Sequence, residues 1–323
     1  MAATRSAPAG RFRAGYRRAV SGRPILVTGA HRSGTTWVGK MLALAPGVGY
    51  IHEPFNPRTP AGLSSAPFDR YFAVVTAGNE ARYEPGLART LAFDYDWGAE
   101  LRSLRTPRDA ARAVRDSWRF GRSRRAGARP LVKDPIALLS AEWLAERFGM
   151  DVVVLVRHPA GFAGSLKRLG WKHSFATFLV DGRAPEILRA YEDEIRAQAE
   201  SPAGVLEQAA LLWRLLYGAV AGYREGHPDW IFLRHEDAGS DPTGTYERLY
   251  ERLGLELTPA ARRRIERASG SENPVEADSP HAVELDSAGA VSRWRTILEP
   301  GEVDFLRERT QDVWPRFYSD EDW

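Results

Sequence analysis

The stretch Gly29-Ala30-His31-Arg32-Ser33-Gly34-Thr35-Thr36-Trp37 has the residue types and spacing to hold a phosphate. Its two glycines let the backbone fold tightly and aim successive N–H groups into one cradle. A helix starting after Gly34 would add its N-terminal dipole. A triphosphatase loop of this pattern needs lysine at the position of Thr35, to reach the terminal phosphates. Threonine cannot reach them, so the loop suits a single phosphate and not a Mg-bound triphosphate. A second anion position lies further along. Arg157 ends the apolar run Val152-Val153-Val154-Leu155-Val156, and Ser165 follows eight residues later. The planar guanidinium fork matches phosphate geometry, and Ser165 stands about two helical turns on.

Taken together, these two motifs resemble those of the PAPS-dependent sulfotransferases, PAPS being 3′-phosphoadenosine 5′-phosphosulfate. Arg32-Ser33-Gly34-Thr35-Thr36-Trp37 resembles the family's 5′-phosphosulfate loop, and Arg157 with Ser165 matches the spacing of its 3′-phosphate site. Ser292-Arg293-Trp294-Arg295 resembles the late segment that closes over the cofactor. The glycine-lysine-glycine pattern of the cytosolic branch is missing, so the chain is nearer the divergent bacterial branch. The resemblance covers roughly residues 24–315. It implies PAPS as sulfuryl donor, adenosine 3′,5′-bisphosphate as product and no metal. It assigns Arg32, in place of the family's loop lysine, to the bridging oxygen. Arginine keeps the charge there but cannot give a proton away. Trp37 stands where the family stacks an aromatic ring on adenine, and packing of that ring against the sheet remains open. Core anchoring is likewise the alternative to a cofactor role for Trp294.

For the proton of the acceptor, the resemblance points to Glu53 in Tyr50-Ile51-His52-Glu53-Pro54-Phe55. A carboxylate within hydrogen-bond reach of the acceptor can take its proton, or can simply pair with an arginine. His31 is the second candidate base. His52 should alternate to the opposite side of its strand from Glu53. Lys133, one of four lysines beside 41 arginines, closes another strand and is a candidate for sulfate or acceptor contacts. After it, Asp134 and Pro135 read as N-cap and first residue of a helix. In Arg234-His235-Glu236-Asp237, the two acids read as scaffold or capping residues.

These residues need an α/β frame: a three-layer, phosphate-loop fold with a central parallel sheet flanked by helices. Strands are expected near 24–28, 48–52, 130–133, 151–157 and 230–234. Helices are expected near 35–45, 136–149, 160–170, 203–225, 242–253, 259–268 and 300–313, with crossovers that make the sheet parallel. Ligands in such sheets bind beyond the carboxyl ends of the strands, where every candidate above falls. Residues 24–323 are expected to form a single domain, with an insertion at about 56–129 for the acceptor or a lid. Tyr71, Phe72, Tyr83, Phe93, Tyr95, Trp97 and Trp118 there can stack on an acceptor or build a core. The acceptor is expected to be the hydroxyl or amine of a carbohydrate or small hydroxylated metabolite.

The net charge of +3 comes from the first 23 residues, which hold six arginines and no acid. This tail reads as a disordered leader. The remainder is slightly acidic, which disfavours a nucleic-acid partner, although ten arginines between 102 and 129 need a use. The absence of cysteine excludes disulfides and thiolate chemistry and fits a reducing, cytoplasmic setting. No apolar stretch is long enough to span a bilayer. The rival readings are a nucleotide-dependent kinase or NTPase and a nucleic-acid-binding module.

Overall fold

The computed structural model describes residues 22–275 and 283–323. All but the last two residues of the basic leader therefore lie outside the described residues. Five strands, β1 (Ile25–Gly29), β2 (Val48–His52), β3 (Arg129–Lys133), β4 (Asp151–Val156) and β5 (Ile231–Arg234), form one parallel sheet in the order β2-β3-β1-β4-β5.

Alternation along the strands splits the core in two. Leu26, Val132, Val152 and Val154 face one layer. Ile25, Val27, Leu131, Val153 and Leu155 face the other. Both faces are covered, as a parallel sheet requires. Helix α1 (Thr35–Leu42) packs Trp37, Val38, Met41 and Leu42 onto the second face. In the insertion after β2 come α2 (Glu84–Leu91), α3 (Trp97–Ser103) and α4 (Pro107–Arg125). After β3, α5 (Ala141–Phe148) joins the first face, as does α6 (Pro159–Leu169) through Phe162, Ala163 and Leu166. The helices following β1 and β4 thus lie on opposite faces of the sheet. The adjacent carboxyl ends of β1 and β4 form a topological switch point, where such sheets open a crevice.

The chain continues through α7 (Glu192–Glu200) and α8 (Val205–Gly226), then β5. Beyond it lie α9 (His235–Ser240), α10 (Pro242–Arg252), α11 (Pro259–Ser269), α12 (Ser287–Ser292) and α13 (Pro300–Arg309). One local expectation is corrected, and one choice left open is narrowed. Asp134 does accept from the N–H groups of Ile136 and Ala137. It caps a tight turn, however; the helix starts only at Ala141, after a 3₁₀ turn. In the insertion, Phe72, Tyr83 and Phe93 are core residues, while Trp97 and Trp118 are exposed. Phe93 fills the space beside Gly49, where a Cβ would stand 2.3 Å from the ring.

Candidate active site

The loop between β1 and α1 is built on unusual backbone angles. Gly29 has φ of 145°, and a Cβ there would meet the Leu155 carbonyl oxygen at 2.5 Å. Gly34 has φ of 93°, and its Cβ would stand 2.7 Å from Nδ1 of His235. Arg32 takes the left-handed conformation at φ 64° without being glycine, a strained state that clusters at functional sites. Gly34 caps α1 with no side-chain acceptor. The first N–H groups of the helix thus face the crevice, the usual basis of an anion site.

Arg157 sits across the crevice at the end of β4, and α8 fixes its backbone. The Tyr217 hydroxyl accepts from the Arg157 N–H at 3.0 Å, and the Trp213 indole donates to its carbonyl at 2.8 Å. Its guanidinium donates to the Arg32 carbonyl, bracing the strained residue. The Arg32 guanidinium in turn donates to the Ser165 hydroxyl at 3.2 Å. Both motifs therefore meet in one cluster.

The cavity they enclose is lined by Arg32, Gly34, Thr35, Thr36, Trp37, Arg157, Ser165, Arg168, His235, Arg293 and Trp294, with five small or apolar neighbours. Four arginines line it, and among the described residues no carboxylate does. Burial, with Arg157 and Arg168 close by, pulls the Arg32 guanidinium down to about 10. Burial also lowers Arg157. The His235 ring is lowered to about 3 by burial and by Arg157 and Arg32, so it is neutral. Crowding of like charge is relieved by an anion. Nε of Arg157, Nδ1 of His235 and Nε1 of Trp37 are buried without a partner among the described residues. Such atoms are expensive to leave unpaired, and they are the donors and acceptor that a phosphate-bearing ligand would satisfy.

Trp37 meets Tyr246 edge-on with ring centroids 5.5 Å apart and also borders the cavity. It joins core packing to cavity lining. Trp294 is buried, stacks on His158 at 5.5 Å and reaches the cavity between Gly161 and Gly164.

Two residues of the expected set do not line the cavity. Arg295 lies over the outer face of Trp294 and donates to the carbonyls of Asp322 and Trp323. Ser33 is fully buried, its hydroxyl folded back against Gly29 and its N–H bonded to the Ala30 carbonyl. It shapes the loop from beneath. His235 and Arg168 were not singled out by sequence. Arg168 had a readable signal, because Gly161, Ser165 and Arg168 repeat at helical spacing on one face of α6. His235 had none, since only packing against Gly34 brings it to the cavity.

Beside this cavity lies a second cluster. Lys133 is 1% exposed and donates to Glu53 Oε1 at 2.5 Å. Asn56 donates to Oε2 at 2.9 Å. Burial pushes the Glu53 carboxyl up, but Lys133, His52 and Asn56 outweigh it, and the carboxyl lies below its ordinary value. Asp134 is pushed up to about 7 by burial and by Glu53, and it accepts from the Phe55 N–H at 2.7 Å. The expected alternation of His52 and Glu53 fails. Glu53 is left-handed at φ 46°, which swings its carboxylate back to 3.9 Å from the His52 ring. The strand geometry behind that expectation stops one residue earlier. His31 packs against Phe72, Phe162 and Trp171 and is neutral, lowered to about 3 chiefly by burial. The charges of both Arg32 and Glu53 reach its ring.

A phosphate-type loop at a switch point, facing an arginine-lined cavity, defines an α/β protein with a cavity suited to an anion. The model of the sulfotransferase family matches residues 24–259, and the chain belongs to that family. A comparison with curated proteins finds no match. Among solved structures, it is similar to the sulfotransferase domain from the curacin biosynthetic pathway, at 15% identity and TM-score 0.47, over 90% of this chain and 98% of that one. The sulfotransferase domain of the Synechococcus PCC 7002 olefin synthase gives 19% identity and TM-score 0.46, over 93% and 96%. Mouse sulfotransferase SULT7A1, complexed with PAP, gives 12% identity and TM-score 0.45, over 97% and 92%. Among the described residues no helix is long and apolar enough to cross a membrane.

Proposed function

We propose that the protein transfers a sulfuryl group from PAPS to a hydroxyl or amine of a carbohydrate or small hydroxylated metabolite. The observation that carries this reading is the cavity at the β1–β4 switch point, where, among the described residues, four arginines and no carboxylate line the wall and the buried Arg157 Nε has no partner. PAPS, when bound, would supply an electrophilic sulfuryl group on a phosphate leaving group. The N–H groups at the start of α1, with Arg32, Thr35 and Thr36, would hold its 5′ end. Arg157 and Ser165 would hold the 3′-phosphate, with Arg168 and Arg293 adding charge. Trp37 and Trp294 offer flat surfaces to the base.

The protein's own chemistry is then alignment and charge. Arg32 is held by Ser165, while Arg157 grips its carbonyl. Positive charge is therefore fixed where negative charge would grow, without reorganisation. Arg32 would neutralise the charge that grows on the bridging oxygen, while Arg157 fixes the Arg32 backbone and balances the 3′-phosphate. Glu53 is the acceptor's base: its lowered pKa keeps it ionised at neutral pH. Lys133 holds the carboxylate in place and balances its charge. Neutral His31 is the second candidate for the proton.

Calorimetry with adenosine 3′,5′-bisphosphate, compared with ATP plus Mg, tests the reading directly. We expect selective binding of the bisphosphate that a chelator leaves unchanged. Tighter binding of Mg-ATP would overturn the proposal and favour a kinase or NTPase. Labelled PAPS incubated with fractionated metabolites would then show which acceptor becomes labelled.

A further inference from the structure

Helix α4 carries a face that the donor site does not use. Its buried side is small: Ala113, Asp116 and Phe120 point inward, with Phe120 edge-on to Phe93 at 5.5 Å. On the outer side, Val114 is 62% exposed and Trp118 59% exposed, one helical turn apart. In the preceding α3, Leu101 is 62% exposed and Trp97 42%. The two helices are tied by Arg112 and Glu100 at 2.8 Å. Scattered apolar residues on a surface need no explanation. Two tryptophans and two aliphatics on one helical pair, among so many cations, do.

The charge is as uneven as the apolar exposure. Arg108, Arg115, Arg119, Arg122, Arg124 and Arg125 are all exposed. The only acids of the helix are Asp109, held in the capping box, and buried Asp116. Arg115 pairs with Asp116 and Arg124 with Asp94, while Arg122 lies over the Trp118 ring at 5.8 Å. The cations converge further at the end of the helix. Gly22 packs against Arg129, whose Nε donates to the Arg23 carbonyl. Arg23, the last residue of the arginine-rich leader, therefore meets the strand that follows α4. Along α4 itself the exposed charge is positive.

We propose that the outer face of α4 docks onto an anionic phospholipid bilayer. An interfacial helix needs a cationic flank for the headgroups and tryptophan or aliphatic side chains for the acyl boundary. Val114, Trp118 and the arginines around them meet both needs without any membrane-spanning segment. A nucleic acid would use the arginines and could stack on Trp118, but Val114 and Leu101 would gain nothing from it. The aliphatics decide for lipid. The proposal does not depend on the identity of the sulfuryl donor.

Flotation of the full chain tests it, with vesicles of phosphatidylcholine alone and of equimolar phosphatidylcholine and phosphatidylglycerol. The protein should float with the anionic vesicles only, and binding should fall as salt rises. Val114→Ser with Trp118→Ser should lower partitioning about tenfold or more. Each of Arg115→Ser and Arg122→Ser should lower it about fivefold. All of these sites are exposed, and an unchanged circular dichroism spectrum and Tm would confirm that the variants fold. Equal binding to neutral vesicles, no binding, or binding that the four substitutions leave intact would each overturn the proposal. So would stronger binding to duplex DNA that Val114→Ser does not affect.

Discussion

Arg157 is held at three points before any ligand arrives, through its N–H, its carbonyl and one guanidinium nitrogen. That leaves Nε as a pre-aimed donor, so its loss should weaken binding and not merely slow it. Arg157→Ala should raise the Kd for adenosine 3′,5′-bisphosphate roughly ten- to hundredfold in calorimetry, from about 1.5–3 kcal/mol for a charge-assisted hydrogen bond. Arg157→Lys should recover little, because lysine cannot both brace the Arg32 carbonyl and offer a fork. Glu53 calls for the opposite pattern. Glu53→Gln should cost about 10²–10⁴ in kcat while the bisphosphate binds as before. A matching loss of affinity would instead make Glu53 part of the donor site. Lys133→Met leaves Glu53 and Asp134 facing one another with no cation between them. It should destabilise the fold by about 3–5 kcal/mol in denaturant titration, the usual cost of breaking a buried pair from one side.

Among the elements, the β1–α1 loop and α9 interlock where Gly34 meets His235. Gly34 needs a positive φ, and His235 occupies the space where its Cβ would be. Gly34→Ala should therefore lower stability by about 1–3 kcal/mol and weaken bisphosphate binding. Combining it with His235→Ala should recover the part due to the clash and leave the part due to backbone strain. Strict additivity in that double-mutant cycle would show that the two residues do not touch. Helix α8 acts at the same scale. Its apolar pattern reads as a buried helix, and so it is, yet its work at the site comes from Trp213 and Tyr217 reaching the backbone of Arg157. Spacing in the chain announces the burial but not the two hydrogen bonds, because nothing local relates a helix at 205–226 to the end of β4.

For the whole molecule, four buried or half-buried histidines set the response to acid. His31, His158 and His235 are lowered to about 3 and His173 to about 4, in each case chiefly by burial. Each is neutral when folded, while in the unfolded chain each takes up a proton near its ordinary 6.5. Stability should therefore be intact above about 6.5 and fall steadily as pH drops towards 4. Asp134 works in the other sense. Its raised carboxyl contributes fully below its ordinary 3.8, and that contribution is lost as pH rises towards about 7. Four protonations outweigh one, so Tm should decline from neutral pH towards pH 4. A Tm that rises over that interval would contradict the burial of these rings.

What the sequence alone determined is local and periodic. The glycine pattern of the phosphate loop, the apolar run of β4 and the Arg157–Ser165 spacing are all set by neighbours within a few turns of chain. So are the alternation of layers and the missing lysine at Thr35. The family follows from them. What only the tertiary structure decided is which side chains converge. Burial beside Lys133 turned Glu53 into a fixed carboxylate, and a left-handed backbone aimed it towards His52 against the strand alternation. Packing brought His235 and Arg168 to the cavity and turned Ser33 and Arg295 away from it. It also spread the arginines of α4 over an exposed apolar face. A sequence specifies a residue's charge and size, but its pKa and its partners depend on desolvation and on contacts across the sheet, which exist only once the chain has folded.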